Sequence, residues 1–144
     1  MSARETMIPV LRLWDRVLVT LQGDITDDVA AQMRDDVLEV IYKRPARGLV
    51  LDVTGLLTLD SHLCFVLSNL AAAARLMGTP TVISGMSARI AYTLESMGVR
   101  LTGVHTAATA EAALEMLGVT VKLAEDSDEA RAALLAKLRS GGRS

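Results

Sequence analysis

Between residues 8 and 53 the chain changes hydrophobic rhythm twice. Residues 8–13 and 16–21 alternate or run apolar, the pattern of extended strands, and Asp15-Arg16 is the expected turn between them. Gly23 breaks that pattern. From a cap at Asp24 or Thr26, the apolar residues Val29, Met33, Val37 and Ile41 recur every four positions. That spacing predicts one buried face of a helix running to about Lys43 and closed by Pro45. Residues 47–53 then run almost continuously apolar around Leu49-Val50-Leu51. A run of this kind predicts a central strand buried on both faces.

The same reading continues downstream. Leu63, Val66, Leu67, Leu70, Ala74 and Met77 stand three and four apart and predict a helix over 62–77, with Gly78 as its stop. Residues 79–84 read as a strand. Ser87 is a cap for a helix over 88–97 that Gly98 ends, and residues 99–105 read as a weak last strand. Thr109 is a cap for a helix over 110–117. The order β-β-α-β-α-β-α-β-α predicts an α/β domain with a mixed, mostly parallel sheet, an N-terminal hairpin and right-handed crossovers.

One domain is expected over residues 7–118. Residues 119–144 read as an extension. It comprises a short strand over 119–123, a helix over 130–138 with Ser127 as cap, and a disordered tail over 140–144. The extension's helix has acid early and base late, which suits a helix dipole. Its apolar edge is Leu134, Leu135 and Leu138.

Composition narrows the function. The 144 residues are 51% hydrophobic but only 3% aromatic, so the core is aliphatic and apolar surface is left over for self-association or partner burial. A net charge of −2 gives no basic excess for nucleic acid. The one cysteine, Cys64, cannot make an internal disulfide, which fits a reducing, cytoplasmic setting. Residues 1–6 lack the apolar segment of a signal peptide, and no apolar run is long enough to span a membrane. Two histidines and one cysteine, scattered, do not suggest a metal site. No phosphate-binding glycine loop occurs, and no cofactor is expected.

The candidate chemistry is at Asp60-Ser61. This pair follows the predicted central strand and opens a helix, where unpaired backbone N–H groups and a partial positive charge favour anionic groups. Either residue is a good N-cap. Ser61 is a candidate for catalysis, anion binding or phosphorylation. Catalysis needs a base. His62 is adjacent, but successive helical residues do not face each other, and His105 lies on a different strand. Ser84-Gly85-Met86-Ser87 is not a nucleophile elbow. Cys64, inside an apolar helical stretch, reads as a buried structural thiol. Trp14 reads as a partly exposed contact near the hairpin.

Beyond these local features, the chain resembles the STAS-domain family, the anti-sigma-factor antagonist fold, and within it scaffolds of the RsbS type. The resemblance is carried by Ile8-Pro9-Val10-Leu11-Arg12-Leu13, residues 18–22, residues 48–55, Leu59-Asp60-Ser61, Leu76-Met77-Gly78 and residues 83–99. It covers roughly residues 7–117. It implies a non-enzymatic scaffold and phospho-switch of a bacterial stressosome, which regulates sigma-factor activity in the stress response. Ser61 would be phosphorylated by an RsbT-type serine kinase that the unphosphorylated scaffold holds. Asp60, Thr58 and His62 would set the switch environment and partner surface. Further implied partners are an RsbR-like STAS paralogue, an RsbX-like phosphatase and other copies in a large assembly. Asp60-Ser61-His62-Leu63 departs from the Asp-Ser-Ser-Gly or Asp-Ser-Thr-Gly of simple antagonists, which favours the RsbS type. The alternatives are a one-to-one anti-sigma-factor antagonist and, from another class, a small hydrolase or nucleotide-binding domain using Ser61.

Overall fold

The computed structural model describes residues 8–99, 101, 103–119 and 128–139. Its elements, in chain order, are β1 (Val10–Leu13), β2 (Arg16–Gly23), α1 (Asp27–Lys43), β3 (Gly48–Leu56), α2 (Ser61–Leu76), β4 (Thr81–Ser84), α3 (Ala88–Ser96), β5 (His105–Ala107), α4 (Ala110–Met116) and α5 (Asp128–Arg139). The sheet order is β1-β2-β3-β4-β5. The β1–β2 pair is antiparallel and the other three pairs are parallel. This is the mixed α/β sheet that the alternation of periods predicts.

The strand period decides what each face buries. Val17, Val19, Leu21, Leu49, Leu51 and Val53 point to the face covered by α1, α2 and α3. Val50 and Val82 point the other way, onto Ala113 and Leu114 of α4. Leu49, Val50 and Leu51 are all fully buried, as expected of a central strand covered on both sides.

Several boundaries differ from the sequence pattern. The hairpin turn is Trp14-Asp15 rather than Asp15-Arg16, because Arg16 already pairs with Leu13. Trp14 and Asp15 both take positive φ, 47° and 64°. A two-residue hairpin needs this twist, and the sequence supplies it without glycine. In α1 the buried face is Ala30, Met33, Val37 and Ile41, with Val29 half-buried, so the first step is three residues and not four. Strand β3 runs on to Leu56, since Gly55 and Leu56 still pair with Gln22 and Gly23 after a register shift.

The last strand is the largest correction. It is His105–Ala107, not residues 99–105. Val99 closes the end of α3 through its N–H to the Leu94 carbonyl, and Gly103 turns the chain at φ 77°. Val99, Leu101 and Val104 are apolar because they pack on the core from a loop.

Helix α5 spans two residues more at its start and one more at its end than the periodicity suggests. Its Lys137 ammonium lies over the Trp14 ring, 5.4 Å from the centroid. Residues 120–123 of the expected short strand, the Ser127 cap, the 140–144 tail and the first seven residues lie outside the described residues. No described helix is long and apolar enough to cross a membrane.

Candidate functional site

Parallel strands put the starts of α1, α2, α3 and α4 at one edge of the sheet, the carboxyl edge. The loop from β3 to α2 crosses that edge and is fastened at every step. The Leu57 N–H bonds to the Gly23 carbonyl at 3.1 Å. The Thr58 hydroxyl donates to Asp24 Oδ1 at 3.0 Å. Leu59 packs on the core. Asp60 then caps α2, its Oδ1 accepting from the Leu63 N–H at 2.8 Å. Of the two caps the sequence allows, the structure uses Asp60. Ser61 is the first residue of the helix.

That division leaves Ser61 available. It is exposed, and among the described residues its hydroxyl makes no hydrogen bond. Leu57 and Phe65, each 61% exposed, flank it. His62 is exposed and its Nε2 lies 3.8 Å from Asp27 Oδ1, a loose contact between two solvated groups. So Thr58, Asp60, Ser61 and His62 do meet on one surface. Thr58 and His62 reach across to Asp24 and Asp27 at the start of α1.

Among the described residues, neither histidine is placed as a base for Ser61. His62 is turned to Asp27. His105 is in register with Val82, which is in register with Val50, near the amino end of β3. Sheet register therefore separates His105 from the edge where α2 begins. Among the described residues, no group of His, Cys, Asp or Glu could hold a metal ion.

Cys64 is buried one turn into α2. Burial pushes its thiol pKa up, and the negative charge of Asp60 adds to the effect. The thiol is held protonated, which removes it as a nucleophile. It lines a small apolar cavity with Leu59, Met86 and Ile90, between α2, α3 and the sheet.

One polar cluster at the same edge escaped the sequence pattern. Asp52 Oδ1 accepts from the Thr54 hydroxyl at 2.8 Å and from the Ser84 hydroxyl at 2.9 Å, tying β3 to β4. The only local sign was an acid interrupting an apolar strand. Gly85 follows at φ 77°, where any Cβ would overlap the Thr54 hydroxyl.

A β-hairpin leading into a parallel sheet, with a capped helix start exposing a serine, defines the class. A family model described as "Mlab, STAS domain" matches residues 13–101, and the chain belongs to the STAS-domain family. Among solved structures, a Ser-to-Glu variant of RsbS from Moorella thermoacetica is 31% identical, with a TM-score of 0.69, over 76% of this chain and 93% of that one. A structure titled for the molecular architecture of the stressosome, "a signal integration and transduction hub", is 29% identical with a TM-score of 0.65, over 76% of this chain and 95% of that one. The RsbT co-antagonist protein RsbRC of Bacillus subtilis is 29% identical over 111 residues, which are 76% of this chain and 39% of RsbRC. The chain thus spans about two fifths of the length of the curated relatives it matches.

Proposed function

We propose that this chain is a stressosome-type STAS module, a non-enzymatic scaffold whose switch is phosphorylation of Ser61. The observation that carries the reading is the exposed Ser61 hydroxyl on the first residue of α2, with the capping role taken by its neighbour. Similarity to RsbS and to an RsbT co-antagonist supports it. In this reading an RsbT-type serine kinase docks on the surface around Ser61 and is released when the phosphate is added. Thr58, Asp60 and His62 shape that surface. An RsbX-like phosphatase resets the switch. Copies of the chain associate with each other and with RsbR-like paralogues in a cytoplasmic assembly.

Electrostatics gives the switch its direction. A phosphate adds about −1.5 to −2 charges at pH 7. It lands beside Asp60, Asp24 and Asp27, on a surface that is already acidic. A kinase pressed there must bury the added charge, and taking an unpaired charge out of water costs several kcal/mol. The domain need not change shape to lose its partner.

The test is direct. The cognate RsbT-type kinase with ATP should add one phosphate to the wild-type chain and none to Ser61→Ala, read by intact mass. Equal phosphorylation of the two would sink the proposal. Ser61→Asp should bind the kinase more weakly while its circular dichroism stays native-like. Mixing with an RsbR-like paralogue should give a large particle. A strict one-to-one kinase complex with no larger species would favour a simple antagonist.

A further inference from the structure

Helix α5 lies beyond the residues that match the family model, which end at 101. It is rich in alanine and leucine. Leu135 is 49% exposed and Leu138 37% exposed, and Ala132, Ala133 and Ala136 are exposed as well. The Lys137 ammonium lies over the Trp14 ring, so the Lys137 side of α5 faces the domain. Leu135 stands two residues before Lys137, about 200° around the helix. Its side chain is therefore turned away from Trp14.

That outward face is complementary to itself. Asp128, Arg131, Ala132, Leu138 and Arg139 fall within about 60° of Leu135 on the helix. An acid is at one end, a base at the other, and the leucines lie between. Glu129 and Lys137, the remaining charged residues of α5, stand off this face. When two copies of the helix run antiparallel, Asp128 faces the second copy's Arg139, and Arg139 the second copy's Asp128. Leu135 then faces Ala132, and Arg131 faces Ala136. A parallel pair would set Asp128 against Asp128 and lose both matches. Twelve residues are also close to the shortest helix that holds in water alone, so covering the leucines favours the helix itself. The face is remote from the switch. Trp14 is in the turn that enters β2, at the amino edge of the sheet, and Ser61 is at the carboxyl edge. The nine residues of β3 separate the two edges by roughly 27 Å.

We propose that α5 pairs antiparallel with α5 of a second copy of this chain, through Leu135 and Leu138 flanked by Asp128 and Arg139. This names one contact of the self-association proposed above and rests on it. The pairing is isologous, so it closes on two copies. A helix of 12 residues is about 18 Å long and buries less than the roughly 1,200 Å² of a stable interface. The contact is weak alone and gains strength when other contacts hold the same copies. Copies joined at the amino edge leave the surface around Ser61 to the kinase.

The experiment is sedimentation equilibrium on the full chain over about 10 µM to 1 mM, the range that reads weak association. The wild type should form pairs with rising concentration. Leu135→Lys with Leu138→Lys should weaken pairing about tenfold or more, with the melting temperature of the domain unchanged. Asp128→Arg alone and Arg139→Asp alone should each weaken it about fivefold, since like charges then meet at both ends. An equimolar mixture of these two single variants should recover pairing, because each then supplies what the other lacks. Pairing unchanged by the leucine substitutions, or not recovered in the mixture, overturns the α5 contact and leaves self-association standing. Leucine substitutions that spare pairing but weaken co-assembly with an RsbR-like paralogue give the face to that paralogue and overturn the contact between copies. A monomer at every concentration overturns both the contact and self-association, and leaves the Ser61 switch to its own phosphorylation test.

Discussion

Asp60 and Ser61 are adjacent and have different jobs, and the hydrogen bonds separate them. Asp60 Oδ1 holds the Leu63 N–H at 2.8 Å, so Asp60 fixes where α2 starts. Replacing a cap of this type with alanine typically costs about 1 kcal/mol, so Asp60→Ala should lose that much in urea denaturation while Asp60→Asn keeps most of it. Ser61→Ala should be close to neutral in the same assay, since its hydroxyl bonds to nothing described. Cys64 gives a second residue-scale expectation. Burial, then the Asp60 charge, raises its thiol pKa above the ordinary 9.0. The folded state therefore keeps the proton at a pH where the unfolded state releases it. The resulting stability is complete below pH 9.0 and is lost as pH rises through the folded value. Wild type should lose stability relative to Cys64→Ala as pH rises above 9.0, measured by urea midpoints. Equal slopes for both proteins would show that the thiol titrates freely.

At the scale of elements, the junction of β4 and α3 is where backbone and side chains constrain each other most closely. Gly85 and Gly98 both take positive φ, 77° and 68°. A Cβ on Gly98 meets nothing within 4 Å, whereas one on Gly85 strikes the Thr54 hydroxyl and comes within 2.9 Å of Asp52 Oδ1. Each alanine substitution bears the left-handed strain, about 1 kcal/mol. Gly85→Ala should be the worse by a further 1–2 kcal/mol, because it also breaks the Asp52–Thr54–Ser84 cluster. Thermal melting of the two variants side by side reads the difference. The same junction shows why part of the molecule was legible beforehand and part was not. The central strand, α1 and α2 announce themselves by their apolar pattern, because each buries a continuous face, and α3 and α4 by their Ser87 and Thr109 caps. The Asp60-Ser61 site was legible because helix starts follow capping chemistry. The Trp14-Asp15 turn was not, since its twist is imposed by the β1–β2 register and not by turn residues. The last strand was misplaced because Val99, Leu101 and Val104 are apolar for core packing from a loop, which imitates a strand. The Asp52 cluster joins residues from two strands, and no local window contains it.

For the whole molecule, the question is whether phosphorylation acts by loosening the fold or by changing its surface. Two terms oppose each other at Ser61. The helix start favours a new anion by about 0.3–1 kcal/mol. The neighbouring Asp60, with Asp24 and Asp27 across the loop, repels it by an amount that solvent exposure keeps comparable. The net change in folding free energy is then below about 1 kcal/mol, which for a domain of this size shifts the melting temperature by no more than about 2–4 °C. Calorimetry on the phosphorylated and unphosphorylated chains should find them within that interval, while kinase binding differs by at least about tenfold. A drop of about 10 °C or more would mean that the phosphate melts the start of α2 and that release comes from local unfolding. The fastenings of the loop argue for the small shift. Leu57, Thr58, Leu59 and Asp60 are each held by a bond or a core contact that does not involve the Ser61 hydroxyl, so the added charge has no structural bond to break.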